Sequence, residues 1–157
     1  MTRRLLPDEK KLHIYIDTNV LWNYCKGQEK ETACLDLLFK KRKEILFTSS
    51  FAIGQTVAGI QKGKKSKGLT KTETVKQGIY LCSKITVLNF SEDDVLKGFS
   101  EVGDDVEDNM HFVISQKRKC NVVITNDVNG YTKFDIIAVA PDNTNYLKSG
   151  IYAKNSW

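Results

Sequence analysis

The sequence predicts an α/β fold with a mostly parallel sheet of four to five strands flanked by helices. Three observations predict it. Short apolar runs alternate with longer stretches of helical periodicity, an order that wraps helices over both faces of a parallel sheet. The runs LHIYID and NVVITND stop abruptly at polar residues, as strands do when their carboxyl ends open onto a ligand edge. The chain has 157 residues, 41% of them hydrophobic and 27% charged, which suits one folded domain spanning 1–157.

Leu12–Asp17 reads as the first buried strand. Helical patterns follow at Asn19–Lys26 and Thr32–Lys43, the second with Ala33, Leu37 and Leu38 on one face and Lys40–Lys43 at its end, where cations suit the helix dipole. Glu44–Thr48 is the second strand, and Ser49 or Ser50 caps a helix running to about Gln61. Gly63 and Gly68 interrupt helix formation within the lysine-rich stretch Lys62–Lys71. Thr72–Cys82 reads as helix and Ile85–Leu88 as the third strand. Ser91 and Asp94 form a capping box for a helix to about Ser100. Asp105–Lys119 is a further helix with Val106, Met110, Val113 and Ile114 as its apolar stripe. Asn121–Thr125 is the fourth strand, Ile136–Ala140 the fifth, and Asn143–Lys148 a terminal helical turn.

No apolar run approaches the roughly 20 residues of a transmembrane helix. The start, MTRRLLPDEKK, is basic without the apolar core of a signal peptide, so a cytoplasmic address is expected. Cys25, Cys34, Cys82 and Cys120 form no C-x-x-C pair and read as reduced thiols rather than zinc ligands. The net charge of +5 permits a polyanionic partner without requiring one. Its distribution says more. Lys62, Lys64, Lys65, Lys67 and Lys71 crowd one segment, and Asp104, Asp105, Glu107 and Asp108 crowd another. Solvated faces account for such runs; so does a protein that meets phosphates with cations and a metal with acids.

Asp17 closes the first strand and Asp127 stands just past the fourth. If those strands are neighbours, their acids meet at one edge. Asp105 and Asp108, at i and i+3, share a helix face. Each acid has a structural reading: Asp17 as a helix cap, Asp105 and Asp108 as first-turn anions, Asp127 as a turn residue before Gly130. Together they form a cluster that is repulsive unless a cation joins it, and hard oxygen ligands suit Mg²⁺ or Mn²⁺.

At this point the sequence resembles the PIN domain family, the fold of many VapC-type toxin ribonucleases, from Leu12 to about Leu147. IYIDTNVL is similar to that family's opening strand and first acid, Asp17. DVEDNMHFVIS resembles the helix carrying its central acid, placed at Asp108, with Asp105 and Glu107 as further candidates. NVVITND resembles the late strand followed by Thr-x-Asp, which maps Thr125 and Asp127. The resemblance implies a metal-dependent endoribonuclease, with Asp17, Asp108 and Asp127 holding Mg²⁺ or Mn²⁺, Asp105 beside them, and products with 5′-phosphate and 3′-hydroxyl ends. It also implies a homodimer and an antitoxin protein whose tail fills the acidic groove. Asn19 reads as ordering the loop of the site, and Thr125 either as orienting Asp17 or a metal-bound water or as packing at the strand end. Lys62, Lys64, Lys65 and Lys67 are expected to contact the RNA backbone.

There is one departure. Gln55 stands in SSFAIGQTVAGIQK where many members of that family carry Glu, and an amide binds a divalent cation more weakly. The alternative is therefore a degenerate module that binds RNA or a protein without cutting. Haloacid-dehalogenase-like phosphatases also open with a strand and Asp-x-Asp, but the second acid is Asn19 here. Receiver domains need an acidic pair and a late lysine that the chain lacks in clear form. His111, at i+3 from Asp108, is within reach of the site but reads first as an exposed helix histidine, and Trp22 and Tyr24 read as core or rim.

Overall fold

The computed structural model describes residues 12–62 and 68–143. Five parallel strands form one sheet: β1 (Ile14–Ile16), β2 (Leu46–Ser49), β3 (Thr86–Leu88), β4 (Val122–Ile124) and β5 (Ile137–Val139), in the spatial order β3-β2-β1-β4-β5. Six α-helices connect them: α1 (Thr18–Cys25), α2 (Glu29–Leu38), α3 (Ser50–Gln61), α4 (Lys71–Lys84), α5 (Glu92–Phe99) and α6 (Val106–Gln116). The α/β class and the parallel sheet are as the alternation predicts.

β1 is central, pairing with β2 through Ile14↔Leu46 and with β4 through Ile14↔Val122 and Ile16↔Ile124. Its side chains alternate between two cores, as the pleat requires. Ile14 and Ile16 join Val122, Ile124, Leu35, Leu38 and Leu81 on one face. Tyr15 joins Phe47, Val123, Ile114 and Phe134 on the other. Each fully buried apolar side chain here contributes about 1.5–3 kcal/mol of transfer free energy.

The helix starts follow from local hydrogen bonding. Ser49 Oγ accepts from the Ala52 amide at 2.9 Å, so Ser49 rather than Ser50 caps α3. Thr70 and Glu73 form a capping box that starts α4 at Lys71, the last residue of the lysine-rich stretch and one before the predicted start. The Ser91–Asp94 box opens α5 as predicted, and Asp94 also takes a 2.5 Å ion pair from Lys117, which ties α5 to the end of α6. Burial pushes the Asp94 carboxyl up, but the Lys117 and Ser91 hydrogen bonds bring it below the usual carboxylate range. α1 stops at Gly27, whose φ of +75° is the left-handed turn that side chains resist.

Several boundaries and faces differ from the expectation. The helix predicted at Thr32–Lys43 is α2 at Glu29–Leu38, and Lys43–Ile45 is a short 3-10 turn leading into β2. Its inward stripe is Cys34, Leu35 and Leu38; Ala33 and Leu37 face outward. Asp105 caps α6 instead of lying within it, and Val106 is exposed while Asn109, His111, Ile114 and Ser115 turn inward. An apolar-period reading misses that face because three polar side chains, Asn109, His111 and Ser115, occupy it. Asn109 tolerates burial by donating to the Gly103 carbonyl at 3.0 Å. The predicted turn Asn143–Lys148 lies outside the described residues except for Asn143, and Lys64, Lys65 and Lys67 lie outside them entirely. Among the described residues no helix is long and apolar enough to cross a membrane.

Candidate metal centre

β1 and β4 end side by side. The Asp17 amide donates to the Ile124 carbonyl at 3.0 Å, so the first acid is stitched to the strand that leads to the last one. This is the adjacency on which the sequence argument depended.

Asp17 is buried, and each carboxylate oxygen has hydrogen-bond partners. Oδ1 accepts from the Thr18 amide at 2.7 Å, so Asp17 is the cap of α1. Oδ2 accepts from the Thr125 hydroxyl at 2.9 Å and from the Tyr131 hydroxyl at 3.2 Å. Thr125 therefore orients Asp17, and its hydroxyl oxygen also accepts the Asp127 amide at 3.0 Å. Asn19 orders the loop: its Oδ1 accepts the Asn126 amide at 3.0 Å, and the Asn126 side chain reaches buried Glu31 at 3.2 Å.

Asp108 is half-buried in the first turn of α6. Its amide donates to Asp105 Oδ1 at 3.1 Å, while its own Oδ2 is buried without a hydrogen-bond partner. Burial, followed by the charges of Asp17, Asp105 and Asp127, pushes its carboxyl up to about 7. Asp127 starts a 3-10 turn, Val128–Tyr131, by accepting the Gly130 amide at 3.1 Å through Oδ1. Gly130 closes the arrangement. A Cβ on it would lie 2.4 Å from Asp108 Oδ2 and 2.6 Å from Asp127 Oδ2, so those two oxygens are at most 5.0 Å apart.

The residues can therefore be tested against a divalent cation. The orphaned Asp108 oxygen and the side-chain-free cradle at Gly130 fit a hard ion seated between Asp108 and Asp127, with Asp17 behind them. Among the described residues no three His, Cys, Asp or Glu side chains already surround one point as a ligand set, so the fit rests on the Asp108–Asp127 pair. Asp105 adds negative charge from its capping position.

His111 overturns its reading as exposed. It is wholly buried, with Nδ1 2.7 Å from the Tyr15 hydroxyl and Nε2 3.2 Å from Thr18 Oγ1 and 3.5 Å from Asp17 Oδ1. Phe51 stacks on its ring at 5.2 Å. The i+3 spacing placed it on the Asp108 face; the packing of that face against β1 is a tertiary fact. Thr18 Oγ1 donates onward to Gln55 Oε1 at 2.7 Å, which puts Gln55 on the site's edge. Trp22 is at the rim, with Lys26 over its ring at 5.0 Å, and Tyr24 is half-buried.

Sequence reasoning missed Tyr131, Thr18 and Gly130. Thr18 adjoins Asp17 and was legible only as helix start. Tyr131 and Gly130 lie on a turn with no period to reveal which way they face. Two clefts of about 510 and 680 Å³ open elsewhere, and neither includes Asp17, Asp108 or Asp127.

The PIN domain profile matches residues 14–136, and the chain belongs to the PIN domain family. Solved structures with the same fold include DNA-bound VapBC from Salmonella typhimurium, with TM-score 0.62 and 17% identity over 83% of this chain and 98% of that one. A protein from Pyrobaculum aerophilum gives 0.61 and 18%, covering 90% of this chain and 98% of that one. The sarcin-ricin-loop-cleaving toxin VapC20 of Mycobacterium tuberculosis gives 0.58 and 14%, covering 79% and 98%. No curated protein matches the chain by sequence.

Proposed function

We propose that the protein is a divalent-metal-dependent endoribonuclease, the toxin of a toxin–antitoxin pair. One observation carries this: Asp108 and Asp127 present converging carboxylate oxygens across Gly130, one of them buried without a partner, beside the fully hydrogen-bonded Asp17. The cluster is electrostatically unfavourable as it stands, and a cation relieves it.

Asp108 and Asp127, with Asp17, would hold Mg²⁺ or Mn²⁺. When bound, the ion supplies Lewis acidity and an activated water for hydrolysis of a phosphodiester. Thr125, Tyr131 and the Thr18 amide fix Asp17 in one orientation. Asp108, whose carboxyl is pushed up to about 7 without a cation, would hold one in its deprotonated form. Lys62 ends α3 as its cap, and it leads into the lysines that we assign to the RNA backbone.

The test is incubation of RNA with the protein in Mn²⁺, in Mg²⁺ and in EDTA, beside Asp17→Asn. Cleavage in metal alone, lost in the variant, is expected. Cleavage that persists in EDTA would overturn the reading. Gln55 favours the second reading, an RNA- or protein-binding module without cleavage, and binding without product under every condition would select it.

The solved relatives include VapBC and FitAcB, which supports an antitoxin partner, and we propose that its tail would cover the acids. A homodimer in the cytoplasm fits the same reading. Light scattering that finds only monomer at high concentration would count against the dimer, and full cleavage with the antitoxin bound would count against occlusion.

A further inference from the structure

The inward face of α2 is apolar except in its first turn. Glu31, Cys34, Leu35 and Leu38 follow one another at i, i+3, i+4 and i+7, and all four are buried. Of the two glutamates beside the site, Glu107 leaves 54% of its side chain exposed, with Oε1 3.9 Å from His111 Nε2, whereas Glu31 has no exposed surface. Among the described residues its one ion pair is with Lys30, 3.8 Å away on a half-exposed side chain, and its Oε2 is buried without a hydrogen-bond partner. A leucine here would extend the stripe at less cost, because a buried acid with an orphaned oxygen loses its hydration without full replacement.

The return comes from the other oxygen. Glu31 Oε1 accepts from the side-chain amides of Asn126 and Asn23, each at 3.2 Å. Asn126 is the residue between Thr125 and Asp127. Its backbone amide donates to Asn19 Oδ1 at 3.0 Å, and its side-chain amide approaches the same oxygen at 3.5 Å. Asn19 Nδ2 in turn lies 3.5 Å from Asp17 Oδ2 and 3.5 Å from Thr125 Oγ1. One carboxylate oxygen therefore ties together α1, α2 and the loop after β4, and it grips that loop at the residue next to Asp127.

We propose that Glu31 is a positioning residue for Asp127: it holds Asn126, and through it the loop that sets the Asp127 carboxylate opposite Asp108 across Gly130. The inference rests on the metal-dependent reading above. It accounts for an acid in an apolar stripe, since the side chain serves the loop it holds rather than the core it interrupts.

The experiment is calorimetric titration of the full chain with Mn²⁺, together with thermal melting in EDTA. The set is wild type, Glu31→Leu, Glu31→Gln, Asn126→Ala and the double variant Glu31→Leu/Asn126→Ala. Glu31→Leu and Asn126→Ala are each expected to weaken Mn²⁺ binding about 10-fold, the lower end of the range for groups that orient a metal ligand. The double variant is expected to lose about the same 10-fold rather than about 100-fold, because both changes break one contact. Glu31→Gln keeps an acceptor oxygen for the two amides and is expected to restore most of the affinity that Glu31→Leu loses. In EDTA, Glu31→Leu is expected to melt no lower than wild type, a split that a purely structural acid would not produce. Wild-type affinity in Glu31→Leu, or a loss of about 100-fold in the double variant, would overturn this inference and leave the metal-dependent reading standing. So would a Glu31→Leu protein that melts lower in EDTA while Asn126→Ala, at an exposed position, binds Mn²⁺ as wild type does. A wild type that binds no Mn²⁺ would overturn the metal-dependent reading itself, and this inference with it.

Discussion

Asp108 carries the clearest conflict between function and stability. Its carboxyl has an ordinary value of about 4 in the unfolded chain and about 7 in the fold. Between those values the folded state holds a proton that the unfolded state has released. Stability is therefore greatest below the unfolded value and drains away as pH rises through the folded one. Asp108→Asn is expected to stabilise the cation-free protein by about 0.5–2 kcal/mol at pH 8, a figure kept low because water screens the half-exposed group. The gain should vanish near pH 4, and urea denaturation in EDTA at the two values measures it. An equal gain at both would show that the carboxyl is not raised. Asp17, Asp108 and Asp127 were legible in the sequence because strand ends and a helix start can be read from apolar runs. His111 was not. Spacing along α6 gives the direction of a side chain, whereas its burial depends on Tyr15 and Phe51 arriving from elsewhere in the chain.

The elements reveal where such reading stops. All five strands were found, since each is a short apolar run between polar residues. The helices were found too, with ends shifted and two stripes misplaced. On α2 the helix starts earlier than its apolar residues suggest, and on α6 the inward face carries an asparagine that donates to the loop just before the helix and a histidine whose partners, Tyr15 and Thr18, are distant in sequence. The approach of the 3-10 turn to α6 was beyond reach, because it is set by the absence of a side chain. Gly130→Ala tests that approach. Its added methyl would fall on both carboxylates, so Mn²⁺ affinity should be lost, with an overpacking cost of about 1–3 kcal/mol in EDTA. Calorimetry and urea denaturation check the two effects. Unchanged affinity would mean that the cation does not sit between Asp108 and Asp127.

On the scale of the whole molecule, the net charge of +5 coexists with an acidic cluster, and the lysines Lys62, Lys64, Lys65, Lys67 and Lys71 crowd one stretch of the chain. Replacing Lys64, Lys65 and Lys67 with alanine is expected to weaken RNA binding. It should also flatten the dependence of log affinity on log salt by about 2, the value for three single-strand phosphate contacts. Filter binding across a salt series measures the slope, and an unchanged slope would place the RNA elsewhere. The parallel arrangement itself was legible from the alternation of elements, but the strand order was not, since local sequence does not say which strands become neighbours. That order has a consequence for how the protein is made. The strand that bears Asp17 lies at the centre of the sheet, yet both of its neighbours come later in the chain, at Leu46 and Val122. Thr125, which orients Asp17, is 108 residues downstream, and Tyr131 is 114. While the ribosome is still synthesising the first hundred residues, the acid is present but has neither its orienting hydroxyls nor its opposing carboxylates. A growing chain therefore carries no assembled site until synthesis has passed Tyr131.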